Sequence, residues 1–140
     1  SAGLSVKSHV PEKDGILACL LAAELVAAHG GRRLMDLLRA LYAEVGTVVT
    51  RRLNYHLPPR AVAGLRAKLE DPPKRLADRA VVSVNRLDGV KMILEDGSWL
   101  LLRPSGTEPV VRLYAEASTE RDLDALITAG RALIGPGAEN

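Results

Sequence analysis

The sequence predicts an α+β fold: an antiparallel sheet with helices packed on one face, preceded by a helical pair. Three observations predict it. Two Asp-Gly dipeptides, Asp88-Gly89 and Asp96-Gly97, each separate short apolar runs, the strongest short-range sign of a hairpin. Apolar residues recur at helical spacing in segments on both sides of that region. The helical segments before Gly46 have no strand pattern between them, whereas those after it flank several strands. Residues 1–46 are therefore expected as a helical pair lacking its own sheet, and residues 47–140 as a compact α+β unit.

In chain order, Asp14 can cap a helix from about Gly15 to Ala28, with Gly30-Gly31 as its stop. Ile16, Leu17, Leu20, Leu21, Leu25 and Val26 leave it only a narrow polar face, so it is expected to be covered on most sides. A second, amphipathic helix spans about Arg32 to Val45, with Leu34, Leu37, Leu38, Leu41 and Val45 in register and Gly46 at its end. The run from Thr47 to Leu57 opens with β-branched residues and reads as a strand. Pro58-Pro59 starts a third helix, with Val62, Leu65 and Leu69 inward, stopped before Pro72-Pro73. Val81 to Leu87, Val90 to Glu95 and Ser98 to Arg103 form an antiparallel meander around the two Asp-Gly turns. Val110 to Ala117 is a further strand, with Val111, Leu113, Ala115 and Ala117 on one face. Ser118-Thr119 caps a last helix with Leu123, Leu126, Ile127 and Leu133 inward. A frayed tail is expected from Gly135 onward.

With 140 residues and 47% apolar content, the chain can bury a real core. Phe is absent, so that core must be aliphatic. A net charge of +2 is too weak to argue for nucleic acid, and no nucleic-acid partner is expected. The lone Cys19 is expected as a buried, reduced thiol. The longest apolar stretch, Ile16 to Ala28, contains Glu24 and is too short to span a bilayer, so no membrane partner is expected. With no disulfide framework and no cleavable signal, a cytoplasmic location is expected. His29 and His56 lack neighbours at metal-ligand spacing, and no metal is assigned. Arg51-Arg52, Lys74-Arg75 and Arg79 read as solvated charge.

The chemistry concentrates in Arg103-Pro104-Ser105-Gly106-Thr107-Glu108-Pro109, between two strands. Arg103 can offer a planar fork of N–H groups to two phosphate oxygens. Ser105 and Thr107 can each donate a hydroxyl proton. Gly106 can let the backbone turn sharply and aim N–H groups into an anion nest. The same residue types also make ordinary turns, and Glu108 could neutralise Arg103 or Arg112 in a plain salt-bridged loop.

This heptapeptide, followed by Val-Val-Arg-Leu-Tyr-Ala-Glu-Ala, resembles the C-terminal phosphate-binding loop of the α-D-phosphohexomutase superfamily, which includes phosphoglucomutase and phosphomannomutase. Gly3-Leu4-Ser5 and His9-Val10-Pro11-Glu12-Lys13-Asp14-Gly15 resemble the stretch that follows the family's sugar-binding loop. The resemblance implies a C-terminal fragment, with residues 1–46 the closing helices of the third domain and residues 47–140 the C-terminal phosphate-binding domain. It implies Arg103, Ser105, Gly106 and Thr107 as contacts to a substrate phosphate, with Glu108 orienting an Arg or the loop backbone. Ser1, His9 and Lys13 are implied on the sugar side, although frayed-terminus and solvated readings compete for Ser1 and Lys13, and His9 could be structural.

The implied reaction moves a phosphoryl group between the 1- and 6-positions of a hexose, with Mg2+ in the parent enzyme. The family's Thr-Ala-Ser-His-Asn-type phosphoserine loop and Asp-x-Asp-x-Asp-type metal loop do not occur in this sequence, so the chain is expected to be inactive alone. It is also expected to bind no metal itself. Nothing in it separates glucose, mannose and glucosamine preference. The implied partners are a hexose phosphate and the remaining domains of the parent enzyme, with self-association through the Gly15–Ala28 helix as another route to covering that helix. The competing readings are a stand-alone module binding phosphate on a nucleic acid or protein, and a purely structural or dimerising piece. A single Trp and no aromatic platform count against single-strand binding.

Overall fold

The computed structural model describes residues 4–136. The sequence readings for Ser1 and for the tail beyond Pro136 lie outside them. The chain divides into two compact units, one ending at Gly46 and the other beginning at Thr47.

In the first unit, α1 (Gly15–Ala28) starts where Asp14 accepts hydrogen bonds from Ile16 N and Leu17 N, both at 2.9 Å. The Leu17 bond first, then His9 and the Ile16 bond, hold the Asp14 carboxyl below the usual carboxylate range. Gly30 and Gly31 end the helix with φ of +65° and +77°, and the Gly31 N–H returns to Val26 O at 2.9 Å. α2 (Leu34–Val45) starts two residues later than its periodicity suggests and stops at Gly46, φ +94°. Neither helix has a buried residue, and Ile16 is 78% exposed. Cys19 is exposed as well, contrary to the expected buried thiol, because an apolar sequence around a residue does not supply the surface that covers it.

The second unit is a six-stranded antiparallel sheet in the order β1-β6-β5-β4-β3-β2. Its strands are β1 (Val49–His56), β2 (Arg75–Leu76), β3 (Arg79–Asn85), β4 (Val90–Leu94), β5 (Trp99–Pro104) and β6 (Val110–Ala117). Helices α3 (Pro59–Lys68) and α4 (Glu120–Ile134) share one core with it. Alternation along the strands buries Met92, Leu94, Leu100, Leu102, Val111, Leu113 and Ala115 on the helix side. Val62 and Leu65 of α3, with Leu123, Leu126 and Ile127 of α4, close over them. Ile134 joins this core, and the expected Leu133 is only partly buried. The other face carries Lys91 over the Trp99 ring at 3.7 Å and Arg52 over Tyr114 at 5.6 Å.

Both Asp-Gly turns connect strands, but only their glycines have positive φ, so neither is the two-residue turn in which both central residues are left-handed. The chain makes such a left-handed pair elsewhere, at Ala77 (φ +48°) and Asp78 (φ +63°) between β2 and β3.

Arg79 is not simply solvated charge. It bonds to Asp122 and approaches Asp96 at 3.2 Å, joining β3 to the β4–β5 turn and the start of α4. The Thr119 hydroxyl donates to Asp122 at 2.6 Å; with Arg79, it holds the Asp122 carboxyl below its usual value of 3.8. The sign follows from linkage: a depressed folded pKa adds stability above the unfolded value and loses it as pH falls through the folded value. Urea unfolding of this unit is therefore expected to show stability falling as pH drops from about 5 to about 3, less steeply in Asp122→Asn. Identical pH slopes in the two proteins would remove Asp122 from the acid sensitivity.

Candidate anion-binding site

The loop between β5 and β6 lies at the sheet end that also carries the β3–β4 turn. Arg103 on β5 and Arg112 on β6 are direct cross-strand partners. Their neighbours Leu102 and Leu113 are also partners and fully buried, so the two arginines share the face away from the core. Like charges directly opposed destabilise a sheet by roughly 0.2–1 kcal/mol, a cost eased where each has a carboxylate beside it.

These arginines, with Arg66 of α3 and Arg86 of the β3–β4 turn, line a cleft of about 580 Å³. Pro104, Ser105, Gly106, Thr107, Asp88 and Gly89 complete the part nearest the loop. Thus the structure brings together Arg103, Ser105, Gly106 and Thr107, all four of the residues singled out in the heptapeptide. Carboxylates balance two of the four guanidiniums: Asp88 Oδ1 lies 2.8 Å from Arg103 Nε, and Glu108 Oε2 makes a longer 3.4 Å contact with Arg112 Nη2.

The loop is fixed at its base. Arg66 Nη2 donates to Ser105 O at 2.8 Å, Ser105 N to Val110 O at 2.8 Å, and Leu57 N to Pro109 O at 2.9 Å. Ser105 Oγ accepts long bonds from Thr107 N (3.4 Å) and Glu108 N (3.3 Å), which leaves its own proton to donate. Among the described residues, neither the Gly106 N–H nor the Thr107 hydroxyl has a hydrogen-bond partner. Both are donors that an anion could take.

The loop bends at Gly106, but not through a left-handed conformation. A Cβ there would meet nothing within 4 Å. The fold does not need glycine at this position; its absent side chain leaves open space beside the loop backbone. Gly89 has the opposite character: a Cβ there would stand 2.7 Å from Leu102 O.

Sequence reasoning missed Arg66, Arg86, Asp88 and Gly89 as parts of the cleft. Arg112 was named only as a possible partner of Glu108, and its place opposite Arg103 comes from the β5–β6 register. Arg66 and Arg86 gave no local signal, since their roles depend on where α3 docks. Arg86 donates to Leu69 O and Glu70 O at the end of that helix, at 2.9 and 2.8 Å.

His9 and Lys13 belong to the first unit. His9 Nε2 is 2.9 Å from Asp14 Oδ2 at the α1 cap. The Lys13 N–H donates to its neighbour Glu12 at 2.9 Å. No group of three or more His, Cys, Asp or Glu among the described residues could hold a metal ion. No described helix is long and apolar enough to cross a membrane.

The second unit is thus an antiparallel α+β domain with an arginine-lined cleft beside a donor-rich loop. The family described as Phosphoglucomutase/phosphomannomutase, C-terminal domain, matches residues 65–130, and Phosphoglucomutase/phosphomannomutase, alpha/beta/alpha domain III, matches residues 1–45. The chain belongs to this family, within the α-D-phosphohexomutase superfamily. A probable phosphoglucosamine mutase from Methanothermobacter thermautotrophicus is 38% identical over 111 residues, covering 76% of this chain and 22% of its own length. A phosphopentomutase from Thermococcus kodakarensis is 35% identical over 89 residues, 64% of this chain and 20% of its own length. A solved structure of a phosphoglucomutase/phosphomannomutase family protein from Burkholderia thailandensis aligns with 71% of this chain and 20% of its own, at 26% identity and a TM-score of 0.48. The chain thus spans about a fifth of the length of these relatives.

Proposed function

We propose that this chain is the phosphate-holding C-terminal part of a phosphohexomutase that interconverts hexose 1-phosphate and hexose 6-phosphate. Residues 47–140 are its C-terminal phosphate-binding domain and residues 1–46 the closing helices of its third domain. The observation that carries this reading is the opposed Arg103–Arg112 pair beside a loop whose Gly106 N–H and Thr107 hydroxyl lack partners. A phosphate dianion would turn the like-charge repulsion into two charge-assisted contacts. Ser105 and Thr107 supply hydroxyl donors, and Gly106 allows close backbone approach.

In this role the domain holds the phosphate that is not reacting. Binding energy gained there orients the sugar for transfer at its other end. The relatives named as a phosphoglucosamine mutase and a phosphopentomutase share sugar phosphates as the common chemistry. Ser1, His9 and Lys13 are assigned to the sugar side. The magnesium implied by the family finds no ligand set among the described residues, which therefore carry no step through it. The exposed apolar surface of α1 supports a further partner, either the remaining domains of the enzyme or a second copy of this chain.

Phosphorus-31 NMR titration of the purified chain tests the reading. Glucose 6-phosphate and glucosamine 6-phosphate are expected to bind, an oligonucleotide is not, and no 1-phosphate is expected to form with or without magnesium. Preference for the oligonucleotide would favour the stand-alone module. Turnover by the chain would show that these residues hold more of the catalytic machinery than assigned.

A further inference from the structure

The β3–β4 turn lies directly against the backbone of Arg103. A Cβ on Gly89 would stand 2.7 Å from Leu102 O and 3.1 Å from both Arg103 Cα and Arg103 Cβ. The turn can approach this closely only with glycine there, at φ +95°. It is tied on its N-terminal side, where Arg86 bonds to the end of α3 and Asn85 Oδ1 accepts from Leu87 N at 2.8 Å. The residue this turn delivers is Asp88, with Oδ1 2.8 Å from Arg103 Nε.

Asp88 offsets part of the Arg103–Arg112 charge, but its pairing with Arg103 adds little stability. The pair is open to solvent, with Asp88 65% and Arg103 39% exposed, and exposed ion pairs add little. For an anion entering the cleft, a nearby negative charge is unfavourable. Geometry accounts for the placement of this carboxylate. A guanidinium presents one planar edge through Nε and another through its two Nη atoms. Engaging Nε fixes the plane and leaves the Nη1–Nη2 edge to grip two oxygens.

We propose that Asp88 is a positioning residue: by accepting from Arg103 Nε, it orients the Nη1–Nη2 edge toward the phosphate of a sugar phosphate and stays in place when that phosphate binds. This rests on the cleft being the phosphate site, and it adds a residue outside the heptapeptide to that site.

Removing a carboxylate near an anion site would ordinarily tighten binding. Positioning predicts the reverse for Asp88→Ala: affinity for glucose 6-phosphate is expected to fall about three- to tenfold, as an oriented side chain becomes free. Asp88→Asn keeps the Oδ1 acceptor and drops the charge, so it is expected to bind at least as tightly as wild type. Calorimetric titration reads both. If Asp88→Ala does not fold, the structure of the wild-type chain with glucose 6-phosphate decides. Arg103 Nε is expected to remain on Asp88 Oδ1 with the Nη atoms on the phosphate. Phosphate on Arg103 Nε in place of Asp88 overturns the proposal. Equal or tighter binding by a folded Asp88→Ala, with binding still lost in Arg103→Ala, overturns this proposal alone. No binding by wild type overturns the phosphate site and this proposal with it.

Discussion

Arg103→Ala is expected to weaken glucose 6-phosphate binding at least about tenfold, because one charge-assisted hydrogen bond contributes on the order of 1.5–3 kcal/mol. The unfolding midpoint is expected to stay level or rise slightly. Arg103 faces away from the core, its pairing with Asp88 is exposed, and its removal relieves the repulsion from Arg112. Arg103→Lys keeps charge but loses the fork, so its loss of affinity should be smaller than that of alanine. Arg112→Ala should also weaken binding, and the double variant should lose less than the two single losses combined, since both act on one phosphate. Calorimetry and thermal unfolding of the same samples separate the possibilities. Unchanged affinity with a lowered midpoint would make Arg103 a structural residue and the heptapeptide an ordinary turn.

The fold was legible wherever local chemistry and tertiary packing agree. Periodicity and capping placed α1 at its observed bounds, and the alternation of Val111, Leu113, Ala115 and Ala117 gave the buried face of β6. It was illegible where an element relies on unusual residues. The β2–β3 turn is made by Ala77 and Asp78, neither of them the glycine expected at positive φ, so the sequence concealed that hairpin. Arg79 looked like surface charge because its partners Asp96 and Asp122 arrive from distant segments. The candidate site divides in the same way. The loop residues were readable from their chemistry, whereas Arg66, Arg86, Asp88 and Gly89 enter the cleft only through docking of α3 and the β3–β4 turn. A glycine's purpose was the hardest to read: Gly106 and Gly89 look equally turn-like in sequence and meet opposite surroundings.

That contrast gives a graded expectation for alanine at three glycines. Gly106→Ala should leave stability unchanged, since its φ is ordinary and its Cβ meets nothing, yet weaken phosphate binding by narrowing the approach to the loop backbone. Gly97→Ala has open space but φ +83°, so it should cost about 1 kcal/mol of stability from backbone strain. Its turn joins β4 to β5 at the far end of the sheet from the cleft, so affinity should not change. Gly89→Ala combines φ +95° with a Cβ 2.7 Å from a backbone carbonyl, which cannot rotate away as a side chain can. It should cost about 2 kcal/mol or more. Relief of the clash would push the turn away from Arg103, so affinity should fall as well. Urea unfolding gives the first quantity and titration with glucose 6-phosphate the second. Gly89 should therefore be the only one of the three to lose both stability and binding. If Gly89→Ala were as stable as wild type, the turn would have room to move, and the close packing that sets Asp88 against Arg103 would not be a constraint of the fold.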